Sequence, residues 1–300
     1  MKNLLKNREI QGEGLIIAMD LLWALFPIIT IIAMSVMPTI YVASISSLFA
    51  AVLMAIILTI KKQWHEIKNI RAWKDILIMT FIIGILYYLL VFTGLKTTTA
   101  GNASIITQME LFFTMIVLGF WKKEKQNLKS IMGGMLMVTG AVLVILKGGF
   151  IINSGDLLIL IASAIAPIGN FFQKSAREKV GSICILFIRS LISGLFLLCL
   201  ALMFETAPTS SQILNSIWFL FINGFILFGL SKIFWVEAIH RITITKANTL
   251  GAITPALTMV FAFLILKDIP TIWQIMGFIP MFIGIYIVSE LRNIKKEEKF

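Results

Sequence analysis

The chain has 300 residues, of which 59% are hydrophobic and 14% are charged, and its mean hydropathy is +0.95. So apolar a composition excludes a soluble globular domain and indicates a membrane protein with many spans. The net charge of +11 does not indicate nucleic-acid binding, because the basic residues lie in short connections between apolar runs. We therefore expect membrane lipids and a small-molecule substrate as partners, and no nucleic acid.

Apolar runs of about 20 residues, the length that crosses a hydrocarbon core, follow one another along almost the whole chain. We predict ten membrane-spanning helices at 14–34, 39–60, 75–95, 98–121, 130–147, 155–174, 182–203, 214–236, 245–266 and 271–291. The connections are short and leave no stretch for a soluble domain. The first run contains Asp20 and is longer than the apolar part of a usual signal peptide, so we interpret it as a retained helix.

Lysine and arginine are distributed unevenly between the two sets of connections. With the N-terminus inside, 21 of the 26 basic residues fall in cytoplasmic segments, whereas Lys96, Lys147 and Lys267 fall in outer ones. Because cytoplasmic loops carry an excess of Lys and Arg, this asymmetry predicts that both termini are cytoplasmic. We expect a multi-pass protein of the plasma or inner membrane. Arg189 and Lys232 remain, inside the seventh and eighth predicted helices.

The two halves of the chain resemble each other when one is shifted by 144 residues. The shift aligns polar and glycine positions in order, namely Thr114 with Thr258, Lys123 with Lys267, Glu124 with Asp268, Gly133 with Gly277, and Gly140 with Gly284. Five helices per repeat is an odd number, so the second copy must cross the membrane in the opposite direction. We predict two inverted repeats, 1–150 and 151–300, an arrangement typical of secondary transporters.

Several segments match the pattern of a known family over nearly the whole chain. They are Tyr87–Leu90, Gly94–Leu95, Thr98–Ser104, Glu124 with Gly133–Gly134, and in the second copy Pro255–Thr258 with Asp268 and Gly277. On these segments the chain resembles the drug/metabolite transporter superfamily, EamA type. It departs from the pattern at Leu111, where a proline often follows, at Asp268, which replaces the usual glutamate, and after Trp23, where glycine is common. The resemblance implies an all-α fold of ten helices around a central cavity.

Glu110 is the most informative single residue, because it lies near the middle of the fourth apolar run. A charge at the centre of a bilayer costs about 2.5–3.5 kcal/mol on insertion scales, so such a residue usually faces a polar cavity. At helical spacing Thr107, Glu110 and Thr114 share one face, and Asn102 lies within about a quarter turn of it. Two interpretations stand: a cavity carboxylate, or an internal hydrogen-bonded pair that joins two helices.

Other polar and aromatic side chains within the spans are candidates for the same cavity. Asp20 either faces the cavity or reaches the cytoplasmic surface or a basic partner, and Arg189 either faces the cavity or reaches the inner surface. Lys232 supplies positive charge, and the aromatic rings either stack on a substrate or anchor at the interface. The candidate substrate-binding residues are Glu110, Asp20, Trp23, Asn102, Thr107, Tyr87, Gln108, Asn170, Lys232 and Trp235.

These residues predict a secondary transporter of a small polar or zwitterionic metabolite, amino-acid-like by preference, that works by alternating access. Carboxylates together with Lys232 suit a molecule that carries both charges. No nucleotide-binding, zinc-binding or thiol motif occurs, so we expect no catalytic residue, metal or cofactor. One alternative is a multipass membrane enzyme acting on a lipid intermediate, although the loops lack the His, Asp and Glu clusters of such enzymes. A second alternative is a structural or chaperone-like membrane subunit.

Overall fold

The computed structural model describes residues 2–122, 128–147 and 152–297, and within these ranges every regular element is helical. The first half contains the helices α1 (Lys2–Trp23), α2 (Phe26–Val36), α3 (Thr39–Ile60), α4 (Ile70–Met79), α5 (Tyr87–Gly94), α6 (Ala100–Thr107), α7 (Met109–Lys122) and α8 (Leu128–Leu146). The second half contains α9 (Ser154–Arg177), α10 (Ser182–Phe204), α11 (Ser210–Phe221), α12 (Ser231–Arg241), α13 (Ile244–Leu250), α14 (Thr254–Leu266) and α15 (Ile272–Glu297).

Several of these helices continue one another across a short interruption, so together they form ten spans. Within the described residues, 8 stretches are long and apolar enough to cross a membrane. The apolar stretch Ile272–Val288 is shorter, and α6 with α7 forms the remaining span. The prediction of an all-α polytopic membrane protein is confirmed, and the predicted spans differ from the observed ones chiefly in where helices are interrupted.

The interruptions recur at matched places in the two halves. A π-helical segment, Thr80–Leu86, joins α4 to α5, and another, Ile222–Leu230, joins α11 to α12. A turn at Gln108 separates α6 from α7, and a 3-10 segment, Gly251–Ile253, separates α13 from α14. Both pairs agree with the shift of 144 residues found in the sequence. The fold is thus a two-repeat fold. Two of the predicted matches, at Lys123 and Glu124, lie outside the described residues.

The prolines of the two repeats have different effects. The chain turns between α1 and α2, and Pro27 lies in the first turn of α2, where its missing N–H is not needed. Pro167, which a shift of 140 residues aligns with Pro27, lies inside α9, which continues without interruption. Pro255 again begins a helix, α14. Matched prolines therefore coincide with a helix start in the first repeat and with an unbroken helix in the second.

Glycines bring α8 and α15 into backbone contact. Gly133 lies against the carbonyl of Gly284, and Gly140 lies against that of Gly277, so that a Cβ at any of the four would meet backbone atoms of the partner helix. Small residues permit this close approach in membranes. We call this contact the glycine seam.

Two large hydrophobic clusters fill opposite halves of the bundle. The larger contains Phe26, Phe92 and Phe228, and it includes Ile159 near the start of α9. The second includes Ala176 and Val180, near and beyond the other end of α9. We name the two ends of the bundle by this helix, as the Ser154 end and the Arg177 end. The middle of α9, between the clusters, borders the central cavity.

Candidate functional site

A cavity of about 120 Å³ lies between the two clusters and is lined by helices of both repeats. Measured in this way, a cavity needs about 10–15 Å³ to hold one water molecule, so this cavity has room for a small molecule. Nine of the ten predicted site residues line it, namely Asp20, Trp23, Tyr87, Thr107, Gln108, Glu110, Asn170, Lys232 and Trp235. The structure therefore brings these side chains together from α1, α5, α6, α7, α9 and α12.

Glu110, in the first turn of α7, is held by two neutral amides. Its Oε1 accepts hydrogen bonds from Asn170 Nδ2 at 2.8 Å and from Asn248 Nδ2 at 3.2 Å. Asn170 Oδ1 in turn accepts from Trp235 Nε1 at 3.3 Å. The carboxylate thus combines both predicted interpretations: it joins α7 to α9 and α13, and it also faces the cavity.

Asp20, on α1, is buried and does not reach the membrane surface. Its Oδ1 accepts a hydrogen bond from Thr254 Oγ1 at 3.0 Å, whereas Oδ2 is buried with no hydrogen-bond partner among the described residues. The carboxylate lies beside Gly251, where α13 gives way to the 3-10 segment. A buried carboxylate oxygen without a partner is costly, which favours a role toward a ligand or a proton.

Lys232, on α12, lies over an aromatic ring. Its Nζ is 3.1 Å from the centroid of the Trp23 ring, and the opposite neighbour of that ring is Phe26, stacked at 4.3 Å. A cation over a tryptophan face is attracted by the ring quadrupole, more strongly where water is excluded. No carboxylate lies within 4.0 Å of Nζ in the described part of the chain. Its charge therefore faces the cavity without a direct ion pair.

The interrupted helices meet at the cavity. Gln108, at the turn between α6 and α7, donates from Nε2 to the carbonyl of Gly251 at 3.0 Å. This hydrogen bond joins the interruption of one repeat to the matched interruption of the other. The same carbonyl also accepts a hydrogen bond from the backbone N–H of Thr254. The site is thus built where regular helix geometry is lost in both repeats.

Asn102 is placed elsewhere, near the Ser154 end. Its side chain donates to Asp156 at 3.3 Å and accepts from Gln274 Nε2 at 2.8 Å. Thr98 and Lys147 complete the contacts of the buried Asp156 carboxylate, the latter at 3.5 Å. The predicted polar stripe assumed one continuous helix, but a turn at Gln108 interrupts it between Asn102 and Glu110. The hydroxyls of Thr107 and Thr114 donate to carbonyls of their own helices.

Several further polar side chains of the cavity were not among the predicted substrate-binding residues. Asn248 contacts Glu110 from α13, and Gln173 and Arg189 line the cavity from α9 and α10. Arg189 faces the cavity and not the inner surface, since it is 3% exposed. The sequence does show that Arg189 and the two amide residues are polar side chains inside apolar runs. One sequence does not show which face of a helix lines a cavity.

Ion pairs join neighbouring helices at the Arg177 end of the bundle. Glu237 accepts from Arg177 at 3.0 Å and from Arg241 at 2.6 Å, which links α9 to α12. Lys246 binds Glu9 at 2.6 Å and also Glu13, which links α13 to α1. The sequence predicts a structural ion pair for Glu237 and Arg241, and that contact is present.

Ten spans in two repeats with a polar cavity between them define the class of membrane transport proteins. The profile of the EamA-like transporter family matches the chain twice, at residues 10–146 and 153–290. The chain belongs to this family, and the predicted membership of the drug/metabolite transporter superfamily is confirmed.

Individual relatives are also transporters by name. An uncharacterized transporter of Bacillus subtilis (strain 168), YoaV, is 23% identical over 278 residues, which are 91% of this chain and 94% of the relative. A probable amino-acid metabolite efflux pump of Salmonella typhimurium (strain LT2) is 27% identical over 205 residues, 63% of this chain and 67% of the relative. A crystal structure at 13% identity superposes with a TM-score of 0.70 over 96% of this chain and 99% of the other, which shows the shared fold. The protein is accordingly a multi-pass membrane transporter with a small-molecule substrate.

Proposed function

We propose that the protein is a secondary transporter of a small zwitterionic metabolite, amino-acid-like in class, and that the central cavity is its binding site. One observation carries the proposal. Asp20, Glu110 and Lys232 border the same small cavity, yet no ion pair within 4.0 Å joins them in the described residues. Buried charges without counter-charges are unfavourable, so a ligand that offers both an ammonium and a carboxylate complements the site.

The aromatic side chains fit the same class of ligand. Trp23, Tyr87 and Trp235 line the cavity together with the charged groups. Aromatic faces bind both ammonium groups and apolar side chains, so they suit a molecule with a charged head and a short apolar part. The Salmonella relative is named as a probable amino-acid metabolite efflux pump, which supports the amino-acid class.

Alternating access is proposed to use the two repeats, 1–150 and 151–300, as the moving parts. Secondary transporters bind substrate near the midplane between their repeats, where helices are discontinuous. The interruptions at Gln108 and Gly251 border the cavity and are in mutual contact, which supports this proposal. We further propose a plasma or inner membrane location with both termini cytoplasmic, which the distribution of basic residues supports.

Reconstitution into liposomes tests the proposal. We expect saturable flux of radiolabelled amino acids, competed by related zwitterions and not by a neutral sugar of similar size. Vesicles with and without the protein are compared, and lipids are analysed in the same samples. Altered lipid without solute flux would instead support the enzyme alternative, and neither activity would support a structural subunit.

A further inference from the structure

Arg189 is a buried guanidinium for which the described residues offer no partner. The residue is 3% exposed and lines the central cavity, and its side chain makes no hydrogen bond or ion pair with another described residue. By contrast Arg177 and Arg241 both bind Glu237 at the Arg177 end. A charge removed from water without a counter-charge is unfavourable. The fold alone therefore does not account for the burial of Arg189, whereas an anionic ligand would.

The surroundings give the Arg189 side chain a path to the cavity. It lies on α10, and its Cγ would be 3.2 Å from a Cβ placed on Gly84. Gly84 belongs to the π-helical segment Thr80–Leu86, so a residue without a side chain stands where the arginine stem crosses toward the cavity. A larger residue at this position would compete with the arginine for space.

A second unpartnered group borders the same cavity from the neighbouring helix. Gln173, on α9, is fully buried, and neither its Nε2 nor its Oε1 has a hydrogen-bond partner in the described part of the chain. Buried amides are normally hydrogen-bonded, so an amide that borders a cavity with both atoms free indicates a polar ligand. Lys232 adds positive charge, and it repels Arg189 electrostatically. An anion near the two cations would relieve that repulsion.

We propose that Arg189 and Gln173 form a carboxylate-binding subsite of the cavity, which rests on the proposed function and gives its substrate an orientation. A guanidinium presents two parallel N–H groups that match the two oxygens of a carboxylate. The Gln173 amide supplies a further donor. Glu110, held by Asn170 and Asn248, lies on α7 and receives the ammonium group. The substrate carboxylate points toward α10, and its ammonium toward α7.

Tryptophan fluorescence tests the subsite, because Trp23 and Trp235 both line the cavity. The purified full chain in lipid nanodiscs is titrated with propionate and propionamide, which share a shape and differ in charge, and with L-alanine and L-alaninamide. The variants are Arg189→Gln, Arg189→Lys and the control Arg71→Gln, which removes a guanidinium from the exposed start of α4.

We expect the wild type and Arg71→Gln to bind each acid at least tenfold more tightly than its amide. Arg189→Gln should lose this preference, and Arg189→Lys should retain part of it, because an ammonium keeps the charge and loses the paired N–H geometry. The subsite is overturned if folded Arg189→Gln still binds each acid more tightly than its amide. It is also overturned if the wild type does not bind propionate more tightly than propionamide. Propionate binding that depends on Arg189, without any tighter binding of L-alanine, upholds the subsite and overturns the zwitterionic substrate.

Thermal stability without ligand separates this role from a structural one. Arg189→Met removes a buried charge and strands no partner, so the melting temperature should be unchanged or higher. Arg177→Met, which takes away one of the two cations bound to Glu237, should lower it. A clear loss of stability in Arg189→Met would identify a structural partner for Arg189 and overturn the proposal.

Discussion

Glu110 shows how a charged residue is retained inside a span. The two amides that donate to its Oε1 are neutral, so they stabilise the negative charge without cancelling it. Its Oε2 has no hydrogen-bond partner among the described residues, which leaves that oxygen to a substrate ammonium or a coupling proton. A carboxylate of this kind is positioned by the fold but not neutralised by it.

Glu110→Gln should reduce transport by tenfold or more while the protein still inserts and folds. Glutamine keeps an oxygen for the Asn170 and Asn248 amides, and it loses only the charge-assisted interaction, about 1.4 kcal/mol or more for tenfold. Flux into liposomes and melting temperature are measured together. Glu178→Gln, the same change at an exposed position, is the control. Unchanged flux and pH dependence in a folded Glu110→Gln protein would remove Glu110 from the mechanism.

Lys232→Met should weaken a zwitterionic ligand more than a neutral analogue of similar size. Methionine keeps the apolar contact with Trp23 and removes the cation that lies 3.1 Å from the ring centroid. Affinities for an acid and its amide are compared by fluorescence titration, with Lys68→Met, an exposed position, as control. Equal loss for both ligands would mean that Lys232 acts through packing alone.

At the scale of elements, span positions could be predicted because bilayer thickness determines how long an apolar run must be. The interruptions could not be predicted in the same way. The turn at Gln108 contains neither proline nor glycine, so the sequence from Ala100 to Lys122 has the pattern of one helix. Helical periodicity then placed Asn102 within about a quarter turn of the Glu110 face, whereas in the structure Asn102 binds Asp156. The prediction that a residue lines the cavity was therefore more accurate within one regular helix, or close to the cavity centre, than across an interruption.

Sequence reasoning missed Asn248 and left two interpretations for Arg189, and the cause is the same. Both side chains reach the cavity because of how α13 and α10 pack, which is a property of tertiary structure. The Asp156 cluster likewise depends on α6, α9 and α15 meeting at one point. A single sequence contains the polar residue, but its partners come from helices far away along the chain.

Gly140→Ala should destabilise the protein, whereas Gly14→Ala should not. A Cβ at Gly140 would meet the carbonyl of Gly277, so the glycine seam would have to open, at a cost of about 1–3 kcal/mol. Gly14, inside α1, has nothing within 4 Å of its Cβ position. Alanine there should stabilise the helix by up to about 1 kcal/mol. Melting temperatures in detergent give the comparison, and equal effects of the two changes would argue against backbone contact at the seam.

At the scale of the whole molecule, polar contacts fasten both ends of the bundle in this conformation. Ion pairs of Glu237 and Lys246 lie at the Arg177 end, and the Asp156 cluster lies at the Ser154 end. A cavity between two fastened ends suits a carrier that opens one side at a time. The order in which these contacts break would then determine which side the substrate leaves.

Fusion proteins test the proposed orientation. Alkaline phosphatase placed after Phe300 should be inactive and a fluorescent protein there bright, because the excess of basic residues predicts that this terminus is inside. Phosphatase fused after Lys267, in the connection between α14 and α15, should be active and serves as the matched control. The reverse pattern at the two positions would overturn the orientation of both repeats.

The glycine seam also has a mechanical consequence. Its two contact points on α8, Gly133 and Gly140, are separated by about 10 Å along the helix axis. Contact at two points resists rotation of one helix about the other. We therefore expect α8, from the first repeat, and α15, from the second, to move as one rigid pair. We expect spin labels on α8 and α15 to keep one distance throughout the transport cycle and labels on α1 and α12 to change theirs, as they would if the two repeats moved about this helix pair.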